Sequence, residues 1–418
     1  MKGSEFPNDL ARRAAEAVDP ARVQELAQGL VRIRSVFDAE LGTNETAAAE
    51  YVAEQLRALG LDPILEEAAP GRPNVICDWA GSGFDVNKHR TLMFEGHTDV
   101  VTEGDPAKWR VPPFEARVEG DVLHGRGSAD MKAGVAASIA ALEAVMRVAP
   151  ELTGRIRLGI VADEEGMMLG IKHFINNGWA DEVSGAIVAE PEENEICLVQ
   201  KGAMRVHVHV TGVMSHGAMP YAGVNPVRGL ADFVVAVRDY ERREQERLGE
   251  HEFLGLPWLT PTVTRAPASG EAQLNVMPEQ AYVALDIRTV PGQSHDEIEA
   301  ELRAIAARLE AGTERLRFDI DVFESRPWTE TQANDPLVRA VEAVYPAVLG
   351  SEPRYGGVPG ATDGTFLWAW RDIPIVTIGP GDREIPHQVD EFVRLSDTVA
   401  SARLYAAAAV TYLASDNG

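Results

Sequence analysis

Imidazoles and carboxylates stand directly after short apolar runs that read as strands. His97 and Asp99 follow Thr91–Phe94 through Glu95-Gly96. Glu164 and Glu165 follow Ile156–Ala162, and Glu190 follows Gly185–Ala189. His387 follows Ile373–Ile378 through a Gly379-Pro380-Gly381 turn. Asp130 closes the Gly125–Asp130 loop and opens an Ala-rich helix over Ala133–Val148. In open α/β sheets, ligands bind beyond the carboxyl ends of the strands. Separate segments therefore deliver acids and imidazoles to one sheet edge. Carboxylates gathered in a cleft oppose one another's ionisation, and a divalent cation removes the conflict. Two His and three carboxylates suit two metals that share one bridging carboxylate, with water completing each shell. A further carboxylate can then take a proton from the attacking water.

Taken singly, each residue has an ordinary explanation. Asp130 suits a helix N-cap. Glu164-Glu165 suits a solvated acidic pair, His97 a satisfied core histidine and His387 a loop. Those explanations leave the joint placement at strand ends unaccounted for. Rival motifs are weak. Gly125-x-Gly127 lacks the third Gly of a dinucleotide fingerprint, and there is no Walker loop, nucleophile elbow or HExxH helix. His207 and His209 share a strand face and read as an exposed surface rather than a metal pair.

The elements that must carry these residues alternate. Helical spacing covers Ala21–Val36, and Asn44 caps a helix over Glu45–Leu59 that stops at Gly60. Apolar strands separated by helices predict an α/β fold, with a mixed, mostly parallel sheet flanked by helices. The middle of the chain differs. Met204–Thr211 and Ala281–Arg288 alternate apolar and polar residues, as strands with one solvated face do. Each precedes a helix, Pro226–Leu248 and His295–Leu309. Two strand–helix pairs predict a smaller α+β domain inserted over residues 200–316. It would divide the larger domain into 1–199 and 317–418.

The chain has 418 residues, of which 45% are hydrophobic and 25% charged, an ordinary globular composition. Its formal charge of −26, from 39 basic and 65 acidic residues, argues against nucleic acid or an anionic membrane as partner. No apolar run approaches the ~18–20 residues of a membrane span, and the N-terminal stretch lacks the apolar region of a signal peptide. With only Cys77 and Cys197, cysteine chemistry cannot carry the fold, and a reducing, cytoplasmic setting is expected.

The motifs resemble those of a known family. Gly96-His97-Thr98-Asp99-Val100-Val101 is similar to its first ligand motif and Gly125–Gly134 to its second. Asp163-Glu164-Glu165-Gly166, Ala189-Glu190-Pro191 and Pro386–Glu391 match the rest in order. The family is that of the di-metal amidohydrolases and exopeptidases, which includes acetylornithine deacetylase, succinyl-diaminopimelate desuccinylase, aminoacylase and glutamate carboxypeptidase. The resemblance implies that Asp130 bridges two divalent ions, zinc by family habit, with manganese or cobalt also suited to such donors. His97 and Glu190 would complete one site, and Glu165 and His387 the other. Glu164 would be the general base, and Asp99 would orient His97.

The same resemblance makes the inserted domain a lid that forms a homodimer. It implies substrate contacts from His216 in Ser215–Pro220, from Asn275 in Gly270–Pro278, and from Gly360 and Thr362 in Gly357–Asp363. Arg288 would hold a substrate carboxylate, although pairing with a local acid weighs equally. Met167, Met168, Trp109 and Trp328 either flank a pocket or pack in the core. The expected activity is hydrolysis of the amide bond of an N-acyl amino acid or short peptide by metal-activated water. The alternatives are cleavage of another C–N bond, such as deamination of an activated aromatic amine, and a non-catalytic binding protein on the same scaffold.

Overall fold

A computed structural model describes residues 5–265 and 273–414 of the chain. They form two compact units. Of these residues, those up to Leu198, Thr331–Gly356 and those from Thr362 onward form the first, and those between Val199 and Glu330, with Gly357–Ala361, the second.

In the first unit a mixed sheet places its strands in the order Ile64–Ala69, Arg72–Ala80, Arg155–Val161, Thr91–His97, Gly185–Val188, Ile375–Thr377, Ile196–Gln200. Arg155–Val161, Thr91–His97, Gly185–Val188 and Ile375–Thr377 run parallel. The strands outside them are antiparallel. Both faces are covered. Leu92 and Phe94 enter the core shared with the helices Pro20–Val31, Ala133–Val148 and Leu395–Ala414. Met93 enters the opposite core, with Ile171 and Phe174 of the Leu169–Asn176 helix and Phe366 of the Gly364–Arg371 helix. Burial on two faces explains why these strands carry continuous apolar runs rather than alternation.

Small residues bring elements close where the site lies. A Cβ at Gly134 would stand 2.0 Å from the Ala189 carbonyl oxygen. The helix that follows Asp130 can therefore rest directly on the end of the strand that leads to Glu190. The Thr46–Ala58 helix begins where Asn44 Oδ1 accepts the Thr46 N–H at 3.0 Å. It ends before Gly60, whose φ of +82° suits glycine.

The second unit holds a four-stranded antiparallel sheet in the order Trp258–Arg265, Gln280–Thr289, Gly202–Thr211, Arg317–Arg326. Val206, Val208 and Val210 share a core with Phe233 and Val237 of the Pro226–Leu248 helix and with Leu302 and Ile305 of the His295–Gly312 helix. On the other face His207 packs against Phe323 and His209 against Tyr282.

The expected insertion of 200–316 stops short of this unit. Arg317–Arg326 pairs with Gly202–Thr211, and Phe318, Ile320 and Val322 pack on the second core. The unit therefore runs on to Glu330. Charged residues at Arg317, Asp319 and Asp321 mask that strand, although it alternates as Gly202–Thr211 does. Trp258–Arg265 escapes for a related reason, because Pro261 suggests a loop yet is tolerated on an edge strand. Among the described residues, no helix is long and apolar enough to cross a membrane. Cys77 and Cys197 are both buried and free.

Candidate metal centre

All four parallel strands end at the same edge of the sheet, and each leads into a candidate ligand. Thr91–His97 ends in His97 itself, which is buried. Its Nε2 lies 3.2 Å from Asp130 Oδ1 and 3.8 Å from Glu190 Oε1. The other oxygen of Asp130, Oδ2, lies 3.4 Å from His387 Nε2, and that nitrogen is 3.0 Å from Glu165 Oε1. His97, Asp130 and Glu190 form one set whose ligand atoms lie within 4.8 Å of one another, and Asp130, Glu165 and His387 form another. Asp130 belongs to both, with one oxygen facing each imidazole.

Asp99 touches His97, Glu164 and Glu165 from behind. The Nδ1 of His97 lies 3.0 Å from the Asp99 backbone carbonyl and 3.5 Å from its carboxylate. An N–H at Nδ1 leaves the Nε2 lone pair facing Asp130 and Glu190. The Asp99 carboxylate accepts the backbone N–H groups of Glu164 at 3.2 Å and Glu165 at 3.0 Å. Asp163 shapes the next turn, accepting from the Met167 and Leu169 N–H groups at 3.0 and 3.2 Å. Arg72 clasps both Asp163 and Glu45.

The electrostatics identify what the cluster accommodates. Burial, with Asp130 nearby, pushes the Glu190 carboxyl well above its usual range. Burial does the same to Glu164, and Glu165 is also raised. Burial opposes ionisation of Asp130 too, yet hydrogen bonds to His387 and His97 hold its carboxyl low. Those to Asp130 and Glu165 push His387 up to about 10. Acids crowded beyond what two imidazoles can neutralise fit a pair of divalent cations, which would hold every carboxylate ionised.

The remaining expected contacts belong to neither set. His216 and Asn275 come together in the second unit. The short strand Ser215–His216 pairs with Val276–Met277, and the Gly217 N–H donates to the Asn275 carbonyl at 2.7 Å. The Gly270 end of that segment lies outside the described residues. Arg288 grips Asp286, with Nε 2.9 Å from one carboxylate oxygen and Nη2 3.1 Å from the other, so its local acid does engage it. Gly360 has open space where a Cβ would stand. Thr362, in the first unit, is buried, and its Oγ1 accepts the Gly364 N–H at 3.2 Å.

Trp109 is a core residue, its indole N–H donating to the Glu103 carbonyl at 2.9 Å. Trp328 similarly donates to the Gln293 carbonyl at 2.7 Å. The two methionines divide, Met168 packing fully in the core and Met167 remaining exposed. Arg72 and Glu45, which hold the candidate ligands in place, escaped the sequence reading, as did the roles of Asp163, Arg126 and Glu391. Apart from the local turn at Asp163, their hydrogen bonds reach across many residues and leave no spacing signature.

A profile described as Peptidase family M20/M25/M40 matches residues 93–411. The chain belongs to this family. A succinyl-diaminopimelate desuccinylase of Methylobacterium sp. (strain 4-46) is 32% identical over 395 residues, covering 91% of this chain and 93% of that protein. The M20 family metallo-carboxypeptidase Sso-CP2 from Sulfolobus solfataricus superposes with a TM-score of 0.74 at 18% identity, over 93% of this chain and 99% of that one. The Bacillus subtilis YXEP protein, described as a dinuclear metal binding peptidase from the M20 family, gives 0.68 at 16% identity, over 94% and 98%. These two share the fold. As an M20 member the chain is a metal-dependent hydrolase acting on C–N bonds of the amide type.

Proposed function

We propose that the chain hydrolyses the amide bond of an N-acyl amino acid or short peptide that carries a free carboxylate. In this reading His97, Asp130 and Glu190 hold one divalent cation, and Asp130, Glu165 and His387 hold a second. The observation that carries it is the division of the Asp130 carboxylate, one oxygen toward His97 and the other toward His387. When bound, the cations supply Lewis-acid polarisation of the scissile carbonyl and acidify water at the site.

Glu164 moves the proton. Its backbone is tied to Asp99, and its carboxyl is buried beside His97, Glu165 and Asp130. It takes a proton from water as the C–O bond forms, then gives that proton to the leaving nitrogen as the C–N bond breaks. Burial raises the affinity of Glu164 for a proton, which suits a group that must hold one between the two steps.

Zinc is the ion this reading favours, with manganese or cobalt suited to the same donors. A cytoplasmic setting agrees with two buried free thiols. A homodimer through the second unit, with His216 reaching a partner's substrate, rests on the resemblance of the Ser215–Pro220 motif.

The test is activity of metal-reconstituted protein on N-acyl amino acids, dipeptides and aromatic amines, with metal content quantified. N-succinyl amino acids head the panel because a 32% identical relative is a desuccinylase. Turnover of an acyl compound or dipeptide, lost on chelation and restored by Zn²⁺, is expected. Activity confined to aromatic amines would overturn the substrate class.

A further inference from the structure

Glu391 is buried and belongs to neither ligand set. Its Oε1 accepts the backbone N–H groups of Ala129 at 2.9 Å and Asp130 at 3.2 Å. Its Oε2 accepts the Gly127 N–H at 3.0 Å and a hydrogen bond from Arg126 Nη1. The Gly125 N–H donates to the Glu391 backbone carbonyl at 3.0 Å. Arg126 is itself buried, lies over the Trp109 ring at 5.1 Å, and reaches the His387 carbonyl through Nη2 at 3.4 Å.

Converging backbone N–H groups form a nest for an anion, and a buried carboxylate needs a paired cation to remain charged. Glu391 meets both conditions, and the contacts have a definite address. One runs to the N–H of Asp130, the residue shared by both ligand sets, and the others hold Arg126, Gly127 and Ala129 just before it. The same side chain lies four positions after His387 on the opposite loop. The Glu391–Arg126 pair therefore ties together the two loops whose separation sets the distance from Asp130 Oδ2 to His387 Nε2.

We propose that Glu391 is a positioning residue that makes Asp130 a bridge, with Arg126 as its counter-charge, so that removing either selectively weakens the cation site containing His387. The proposal rests on the two-cation reading above. Glutamine in place of Glu391 retains one acceptor oxygen, and its amide would point N–H groups at N–H groups on the other side of the nest. Lysine in place of Arg126 keeps the charge but cannot bond Glu391 and the His387 carbonyl with one planar group.

The experiment titrates Zn²⁺ into chelator-stripped wild type, Glu391→Gln and Arg126→Lys by competition calorimetry. Amide hydrogen exchange is followed at Gly127, Ala129 and Asp130, and thermal melts check folding. Wild type should bind two equivalents. Each folded variant should bind the first within a few-fold of wild type and the second about 10- to 100-fold more weakly, with faster exchange at those amides. If Glu391→Gln fails to fold, Arg126→Lys alone decides the matter. Two equivalents at wild-type affinity in a folded variant would overturn the positioning role while leaving the two-cation reading intact. Fewer than two equivalents in wild type would overturn that reading, and this inference with it.

Discussion

The Asp99 carboxylate accepts the backbone N–H of Glu164 at 3.2 Å, so the residue proposed to move the proton is fixed from a neighbouring strand end. The second oxygen does the same for Glu165 at 3.0 Å, and the Asp99 carbonyl engages His97. Asp99→Asn keeps the size but offers one acceptor where two are used. It should lower kcat/KM by about 10- to 100-fold, mainly through kcat. Steady-state kinetics at saturating Zn²⁺ check this, and unchanged kcat would remove Asp99 from the support of the site.

Glu164→Ala should lower kcat by about 10²- to 10⁴-fold and still bind two metal equivalents, since Glu164 is in neither ligand set. Kinetics together with elemental analysis separate the two effects. Turnover near wild type would take Glu164 out of the proton path.

Stripping the metals should lower the thermal midpoint, and Zn²⁺ should restore it. Burial already raises Glu164 and Glu190 well above the ordinary carboxyl range, so the stripped site gathers groups that oppose one another's ionisation. Cations that bind the folded chain and not the unfolded one also stabilise by mass action. Scanning calorimetry with and without chelator reads the difference, and identical midpoints would argue against a structural contribution from the metals.

His295 gives the second unit an acid-sensitive point. Its ring nitrogens lie 2.9 Å from Thr289 Oγ1 and 2.7 Å from Ser325 Oγ. Burial pushes its pKa down to about 4, against a smaller opposing pull from Asp296. Unfolded histidine titrates near ~6.5. Between those values the unfolded chain binds a proton that the folded chain does not, so stability falls as pH drops through that window. Denaturant midpoints at several pH values should decline less between pH ~6.5 and ~4 for His295→Gln than for wild type. Equal declines would assign the sensitivity to other groups.

Gly134→Ala should destabilise by about 1–3 kcal/mol, because the added Cβ meets the backbone oxygen of Ala189 at 2.0 Å. The next residue is Glu190, so Zn²⁺ affinity should fall with stability. Denaturant unfolding and metal titration of one preparation test both. Wild-type stability would show that the helix start can shift without consequence.

The candidate ligands are legible in the sequence because a buried parallel strand is a continuous apolar run, and polar residues just beyond it stand out. Ala133–Val148 and Pro226–Leu248 are helices over the residues their spacing suggests. Arg317–Arg326 alternates as Met204–Thr211 does, but charged residues at Arg317, Asp319 and Asp321 mask it, and a domain limit at residue 316 falls one strand short. Arg72–Ala80 was missed because it opens with Arg, Pro and Asn, although all three are buried. Arg72 and Asn74 are satisfied by partners far along the chain, Glu45 and Gly170. The support of the candidate metal centre is illegible for the same reason, since Glu391 binds backbone groups of Gly127, Ala129 and Asp130 and a side chain 265 residues away.

The strand Ile375–Thr377 pairs on one side with Gly185–Val188 and on the other with Ile196–Gln200. A ribosome producing this chain therefore releases both neighbours long before the strand that joins them. Until residues 375–377 are made, the nascent chain carries two open strand edges, which template pairing with other chains. A product cut short before this segment would lack His387 and Glu391 and would also retain those edges. Premature termination would then yield a substrate for chaperones and proteases rather than an inert, folded enzyme.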